Sequence, residues 1–106
     1  MPKYLVLASY TTEGVKGLLK DGGSKRRRAA EAALESVGGR VEAFYFAFGN
    51  HDAVVLIDAP DNVTIAAASM AINASGAVQT KTTVLLTPEE IDQATKKNAT
   101  YQPPGR

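Results

Sequence analysis

The chemistry available to this sequence near neutral pH centres on its only histidine, His51, which is followed by Asp52. Histidine is the side chain whose ordinary pKa lies closest to neutrality, so His51 could act as a general base or contact a ligand. Neighbouring residues in a strand point to opposite faces, so these two side chains cannot form a hydrogen-bonded pair. We therefore expect Asp52 to be structural, with a carboxylate that accepts backbone N–H groups near the turn. The alternative for His51 is a hairpin-end ring, half covered by Phe48, with no chemical role.

Metal-dependent and thiol-dependent chemistry is disfavoured by the composition. The chain has no cysteine and a single histidine, whereas a zinc site needs three or four ligands. We also find no Ser–His–Asp arrangement, no pair of inward carboxylates and no dinucleotide-binding fingerprint. The sequence therefore predicts neither a metal nor a cofactor.

A run of four cations, Lys25–Arg28, follows two glycines and a serine. If Ser24 caps a helix here, the cations occupy its first turn, where the helix dipole favours anions. Either Arg26 or Arg27, one turn before Ala30, would continue the helix stripe that faces the sheet, and its guanidinium could bind an anion together with the free N–H groups. The alternative is a solvated face whose cations pair with Glu31 and Glu35.

Aromatic residues could complete a binding site near the histidine. A two-residue turn at Gly49-Asn50 would place Phe48 opposite His51, and Tyr10 at the end of the first strand would lie across from both. Tyrosine combines an apolar ring with a polar tip, as ligand-contacting residues often do. We therefore expect His51 at the rim of a cavity between the helices and the sheet. The alternative is that these aromatic residues only fill the core.

The elements that must position these residues follow the order β-α-β-β-α-β with a terminal helix. The strands are predicted at Lys3–Tyr10, Val41–Phe48, His51–Ala59 and Ala77–Leu86, with a helical turn or loop at 11–19. This order is the ferredoxin-like split βαβ pattern, an α+β fold with a four-stranded antiparallel sheet.

The helices are predicted from capping residues and apolar spacing. One helix begins at Ser24 and ends at Gly38-Gly39, one runs from Asp61 to about Ser75, and a short one begins at the capping box after Thr87. The expected core stripe of the first is Ala30, Ala33, Leu34 and Val37, and that of the second is Val63, Ala66, Ala67, Met70 and Ala74.

Both faces of the predicted hairpin at 41–59 are apolar. One face carries Phe44, Phe46, Phe48, Val55 and Ile57, and the other carries Val41, Ala43, Tyr45, Ala47, Val54 and Leu56. A sheet covered by helices on one side should show a polar second face. We therefore predict a homo-oligomer, at least a dimer, joined through a sheet face.

Length and charge limit the remaining possibilities. With 106 residues the chain is expected to form one domain at residues 1–98, followed by a flexible tail at 99–106. A net charge of +1 argues against nucleic-acid and membrane-surface partners. The sequence shows no signal peptide and no apolar stretch long enough to span a membrane, so we predict a cytoplasmic protein.

Five short motifs follow one another along the chain in a characteristic order. They are PKYLVLASYTTEGVK, Arg26 ahead of an Ala-rich helix that ends in Gly38-Gly39, Phe44-Tyr45, Gly49-x-x-Asp52 and Ala59-Pro60-Asp61. On these motifs the chain, from about Pro2 to Glu90, resembles the GYD-domain family of small bacterial and archaeal proteins. The family is named for a Gly-x-Tyr-Asp pattern at the hairpin, and His51 stands at the position of its tyrosine. The resemblance implies a dimeric α+β barrel, in which two four-stranded sheets pack face to face, and no particular activity.

Two kinds of function are compatible with these features. The first is a small homo-oligomeric binding or assembly module without a cofactor, whose small anionic or hydrophobic ligand contacts Tyr10, Arg26, Phe48 and His51. The second is a cofactor-free isomerase or monooxygenase-like enzyme that acts on small hydrophobic metabolites with His51 as base. An enzyme needs a closed apolar pocket where His51 and a second polar group converge, whereas a module can fill that space with side chains.

Overall fold

A four-stranded antiparallel sheet with helices packed on one face organises the chain in the computed structural model, which describes all residues from Met1 to Arg106. The elements are β1 (Lys3–Tyr10), α1 (Thr12–Asp21), α2 (Gly23–Glu35), β2 (Arg40–Phe46), β3 (Ala53–Asp58), α3 (Asn62–Ala74), β4 (Val78–Leu85) and α4 (Pro88–Thr95). The strand order is β2-β3-β1-β4. The predicted α+β, ferredoxin-like architecture is confirmed.

The core lies between the helices and one face of the two central strands. Along β1 every second residue is buried, beginning with Tyr4, because successive side chains alternate between the two faces. The Tyr4 hydroxyl donates a hydrogen bond to Asn62 Oδ1 at 2.7 Å, which ties β1 to the first turn of α3. The main cluster of buried apolar residues consists of Tyr4, Val6, Leu34, Val55, Ile57, Ala59, Ile65 and Ala68.

The β2–β3 hairpin has the predicted register but not the predicted turn. Phe44 pairs with Val55 and Phe46 pairs with Ala53, as expected. The strands stop there, and neither Gly49 nor Asn50 has a positive φ, which the two-residue turns of tight hairpins require. Residues 47–52 instead form a loop, called the hairpin loop below. Phe48 is fully exposed at the tip of the hairpin loop, so the prediction that it lies on the core face of the hairpin is wrong.

A bulge in β2 changes the face of one predicted residue. Val41 lies opposite Ile57 and Ala43 lies opposite Leu56, so the pairing shifts between them. An extra residue in one strand reverses the alternation on one side of the bulge. Val41 therefore packs against the core rather than on the opposite face, where strict alternation placed it.

The segment after β1 is more helical than the sequence indicated. Residues 12–21 form the ten-residue helix α1, whose N-cap is Thr11, rather than a turn or loop. Gly22, with φ +81°, ends α1 and is also the N-cap of α2. Ser24 therefore lies inside α2 and makes no capping hydrogen bond, which corrects its predicted role. The predicted core stripe of this helix is confirmed, with Leu34 buried and the other three members half-buried.

Helix α3 presents the opposite face to the one predicted. Its buried residues are Ile65 and Ala68, with Ile72 half-buried, whereas Val63 and Met70 are exposed. The helix is apolar on almost every side, so spacing alone could not identify the inward face. The exposed set Val63, Ala66, Ala67, Met70 and Ala74, called the outer stripe below, faces away from the core. Asp61 caps α3 as predicted, since its carboxylate accepts the Thr64 N–H at 2.8 Å.

The chain ends in a short, well-capped helix. Thr87 and Glu90 form the predicted capping box of α4, and Pro88 begins the helix. No helix or strand follows Thr95, and the flexibility expected for residues 99–106 stays a prediction. None of the four helices combines the length and the apolar character needed to cross a membrane.

Candidate functional site

An apolar cavity of about 260 Å³ lies between the two main helices and the middle of the sheet. Helix α2 packs against β2 and α3 packs against β4, so the helices lie over opposite edges of the sheet. Small alanine side chains on α2 leave the space between them open. The lining residues of this central cavity are Val6, Ala8, Tyr10, Arg26, Ala29, Ala30, Ala33, Leu34, Phe44, Ala53, Val55, Ile57, Ile72, Ser75, Val78 and Thr80.

Two of the hydroxyls in this lining are already engaged within the chain. The Ser75 hydroxyl donates to the Ile72 carbonyl at 2.7 Å and accepts the Ala77 N–H at 3.2 Å. The Thr80 hydroxyl accepts a hydrogen bond from the Asn73 side chain at 2.9 Å. Both groups therefore stabilise the junction of α3 and β4.

The other polar groups of the lining are the Arg26 guanidinium and the Tyr10 hydroxyl, and the Thr80 hydroxyl keeps its hydrogen for a ligand. The nearest carboxylate to Arg26 is that of Asp21, whose Oδ2 lies 3.7 Å from one terminal nitrogen. This is a long contact, and no Asp or Glu is among the lining residues. Of the two arginines that could continue the inward stripe of this helix, Arg26 lies in the lining, so the cavity has a cationic group in its wall.

Tyr10 is half-buried, and its pKa is raised above the ordinary value of 10.0. Burial is the main cause, because the charged phenolate loses more solvation on burial than the neutral phenol does. Arg26 acts in the opposite direction and lowers the pKa, while the charge of Asp52 raises it further. The hydroxyl therefore keeps its proton at neutral pH and can donate a hydrogen bond to a ligand.

The structure separates the four residues predicted to form one site. Arg26 and Tyr10 lie together in the wall of the central cavity, but His51 and Phe48 are not among its lining residues. Phe48 instead borders a second, open depression of about 430 Å³, which is called the loop groove below. The loop groove is lined by Tyr10, Val15, Leu18, Gly23, Phe46, Ala47, Phe48 and Asp52. Tyr10 is thus shared by the two spaces.

Asp52 has the structural role that the sequence indicated, although its partner lies on another strand. Its carboxylate accepts the backbone N–H of Tyr10 at 2.8 Å, and its own N–H donates to the Ala8 carbonyl at 2.8 Å. The Ala47 N–H donates to the Asp52 carbonyl, also at 2.8 Å. The hairpin loop is therefore fastened to β1 through the residue beside His51.

The cationic run at the start of α2 forms local ion pairs. Lys25 Nζ lies 3.6 Å from Asp21, and Arg27 Nε lies 3.8 Å from Glu31 at helical spacing. The predicted pairing with Glu31 is therefore present, and the acidic residue at the end of α1 also takes part. Exposed pairs of this length contribute little to stability. The anion-binding role proposed for the helix start reduces to Arg26, whose side chain reaches the cavity.

Most of the cavity wall was not identified from the sequence as part of a site. The small alanines of the two main helices were expected to leave room above the sheet, but Ala29, Ala30 and Ala33 were not assigned to a site, because alanine spacing also indicates close packing. Phe44 was expected in the core face, and it does line the cavity, in edge-to-face contact with Phe46 at 5.2 Å between ring centroids. The signal that could have revealed the site was Arg26 in phase with these alanines.

Comparison with known proteins identifies the family. The family description "GYD domain" matches residues 4–95. The chain belongs to the GYD-domain family. A curated protein of Thermus thermophilus, the glutamine synthetase and cystathionine beta-lyase binding protein, is 34% identical to this GYD domain over 83 residues. The aligned part covers 77% of this chain and 85% of that protein.

The sheet of this GYD domain has an open face opposite the helices. The register places Leu5, Leu7, Ala43, Tyr45, Val54 and Leu56 there, and Tyr45 is 69% exposed. At one end of this open face the buried Asp58 carboxylate accepts hydrogen bonds from Lys3 at 2.8 Å and from Arg40 at 2.6 Å. These two bonds lower the pKa of Asp58, and the bond from Lys3 has the larger effect. The open face thus combines an apolar centre with an ionic border.

Proposed function

We propose that this GYD domain is a binding module whose ligand is a small, largely apolar molecule held in the central cavity. The observation that carries the proposal is an apolar space of about 260 Å³ beside the Arg26 guanidinium. A largely apolar molecule gains dispersion contacts with such a lining and removes its apolar surface from water. Arg26 gives it a polar anchor.

The proposal is tested by filling the cavity from its alanine wall. Ala33→Leu places extra methyl groups into the space, whereas Ala32→Leu on the exposed side of the same helix is the matched control. Small apolar molecules should raise the melting temperature of the parent and of Ala32→Leu, because a ligand selective for the folded state stabilises it. They should have no effect on Ala33→Leu. Equal shifts in all three proteins would contradict the proposal.

A second function, the assembly of protein partners, is supported by the Thermus thermophilus relative, whose name describes binding to two enzymes. The outer stripe of α3 is an exposed apolar surface suited to such contacts. The direct test is whether this chain co-sediments with purified glutamine synthetase or cystathionine beta-lyase from the organism that encodes the chain. Met70→Lys should weaken a complex that uses the outer stripe, whereas Lys81→Glu on β4 should not.

We also propose that the chain self-associates through the open face. The support is the apolar centre of that face, which no helix covers, together with the ionic border around Asp58. Sedimentation velocity at micromolar concentration should show at least a dimer. Leu56→Lys should produce monomers, and Val63→Lys on the outer stripe should leave the oligomer intact. The reverse pattern would place the interface on α3.

The enzymatic alternative has less support from the geometry. His51, its proposed base, is not among the residues that line the central cavity. The cavity contains an arginine and a protonated tyrosine but no group suited to accept a proton at neutral pH. Cytoplasmic location and the absence of nucleic-acid and membrane partners stay predictions from composition.

A further inference from the structure

We infer that the occupant of the central cavity is a monocarboxylate built on one aromatic ring and lacking an amino group, an inference that rests on the proposed function. Arg26 and Tyr10 bind the carboxylate, and the apolar walls enclose the ring. The inference combines three features of the cavity, which are its free hydrogen-bond donors, its charge and its size.

The available polar groups are donors. The Ser75 hydroxyl both donates and accepts within the chain, whereas the Thr80 hydroxyl only accepts, so Arg26, Tyr10 and Thr80 can donate to a ligand. A guanidinium presents parallel N–H groups that match the two oxygens of a carboxylate. The long contact with Asp21 leaves most of this donor set unused. A carboxylate is therefore the head group that satisfies the Arg26 side chain, with the Tyr10 hydroxyl as a third donor.

The charge of the lining excludes other head groups. No Asp or Glu lines the cavity, so the ammonium group of an amino acid or amine would lose its water without gaining an anionic partner, beside the like charge of Arg26. A phosphate monoester brings close to two negative charges, and a single guanidinium leaves one of them uncompensated in an apolar space. One negative charge and no positive charge fit the lining best.

The size and chemistry of the walls describe the rest of the molecule. A cavity of about 150 Å³ lined by aliphatic and aromatic side chains holds benzene, and the central cavity measures about 260 Å³. There is room for one aromatic ring and a short arm that leads to the carboxylate. The walls around the ring are Phe44 and branched aliphatic residues such as Val55 and Ile72, which offer no hydrogen bond. Arylacetic and arylpropionic acids have these proportions.

Titration calorimetry with four matched probes tests the inference. The probes are 3-phenylpropionate, its neutral amide 3-phenylpropanamide, the amino acid L-phenylalanine, and propionate, which lacks the ring. We expect 3-phenylpropionate to bind about tenfold or more tightly than each of the others, because each lacks the charge, lacks the ring or adds an unpaired ammonium group.

Variants of the cationic run assign the effect to one side chain. Arg26→Gln should reduce the affinity for 3-phenylpropionate to that of the amide. Arg26→Lys should retain part of the preference, since it keeps the charge without the planar donors. Arg27→Gln is the matched control, because Arg27 pairs with Glu31 and is not part of the cavity lining. It should bind 3-phenylpropionate as the parent does.

The possible results of these experiments distinguish the inferred monocarboxylate ligand from the proposed function of the cavity as a binding site. Equal binding of acid and amide, unchanged in Arg26→Gln but lost in Ala33→Leu, would overturn the carboxylate and leave the cavity as a binding site. Tighter binding of L-phenylalanine, or binding of propionate as tight as that of 3-phenylpropionate, would overturn the assigned class. If no probe binds and no small apolar molecule stabilises the protein, both the inference and the proposed function are wrong.

Discussion

The Asp52 carboxylate accepts the backbone N–H of Tyr10 at 2.8 Å, so the hairpin loop fastens the end of β1. The Tyr10 side chain, in turn, lines the central cavity. The loop and the cavity are therefore connected through the acidic residue next to His51 and not through the imidazole. This connection explains why an aspartate is needed at the hairpin even though the histidine lies outside the cavity.

Asp52→Ala is expected to destabilise the fold by about 1–3 kcal/mol, because the half-buried N–H of Tyr10 loses its charged acceptor. His51→Ala should change the free energy of unfolding by less than about 0.5 kcal/mol, since a substitution away from such features is close to neutral. Urea denaturation of both variants against the parent measures the difference. Equal losses in the two would show that the imidazole contributes to the loop as much as the carboxylate does.

Carboxylate binding is expected to weaken at alkaline pH as Tyr10 ionises. The pKa of Tyr10 is raised above 10.0, so the hydroxyl donates at neutral pH and becomes a phenolate only above that value. The phenolate has no hydroxyl hydrogen to donate, and its negative charge repels the carboxylate. Titrations of 3-phenylpropionate from pH 7 upward should show a loss of affinity above pH 10 in the parent. Tyr10→Phe should bind about three- to tenfold more weakly at pH 7, without that alkaline loss. The same loss in Tyr10→Phe would assign it to another group.

Two glycines in α1 are expected to respond oppositely to alanine. A Cβ at Gly14 would lie 2.0 Å from the Ala77 carbonyl oxygen, so the backbone of α1 or β4 must move. A Cβ at Gly17 meets nothing within 4 Å, so alanine should stabilise the helix by about 0.5–1 kcal/mol. Thermal denaturation should show a lower melting temperature for Gly14→Ala and a higher one for Gly17→Ala. An unchanged melting temperature for Gly14→Ala would mean that α1 can move away from the Ala77 carbonyl at little cost.

Stability is expected to fall in acid through the ion pairs of Asp58. The pKa of Asp58 is lowered from 3.8 by its bonds to Lys3 and Arg40, so the folded state binds the proton less readily than the unfolded chain. The stabilisation is complete above pH 3.8 and is lost as the pH falls through the lower folded pKa. Asp58→Asn should lower the melting temperature at pH 7 and reduce its fall between pH 5 and about pH 2. Glu89→Gln on α4 is the control, and its acid dependence should match that of the parent.

The sheet was predictable because its signal is local. The alternation along β1 follows from the pleat, and the pairing of Phe44 with Val55 and of Phe46 with Ala53 follows from a hairpin centred on Gly49-Asn50; both appear in the structure. The bulge near Val41 could not be inferred, since a single inserted residue has no compositional signature. The two-residue turn at Gly49-Asn50 was wrong, because this dipeptide favours a tight hairpin but neither residue adopts the positive φ that such a turn requires.

The site was only partly predictable because it depends on how helices pack. Arg26 and Tyr10 were identified from charge and chemistry, and the structure brings them together. The inward face of α3 could not be chosen, since Ile65 and Val63 are equally apolar and only the tertiary structure decides which is buried. His51 was predicted as a site residue from the chemistry of histidine. That chemistry does not indicate whether the hairpin loop brings the side chain to the cavity.

The alanines that border the central cavity have a consequence for evolution. One wall of the space is formed by methyl groups on one helix, those of Ala29, Ala30 and Ala33, while the strands form the opposite wall. An alanine codon becomes a valine or glycine codon by a single base substitution. Such a change alters the volume on the helix side without altering the residues of the strands or the guanidinium. A gene encoding this chain can therefore change the shape of the ligand space in single-codon steps.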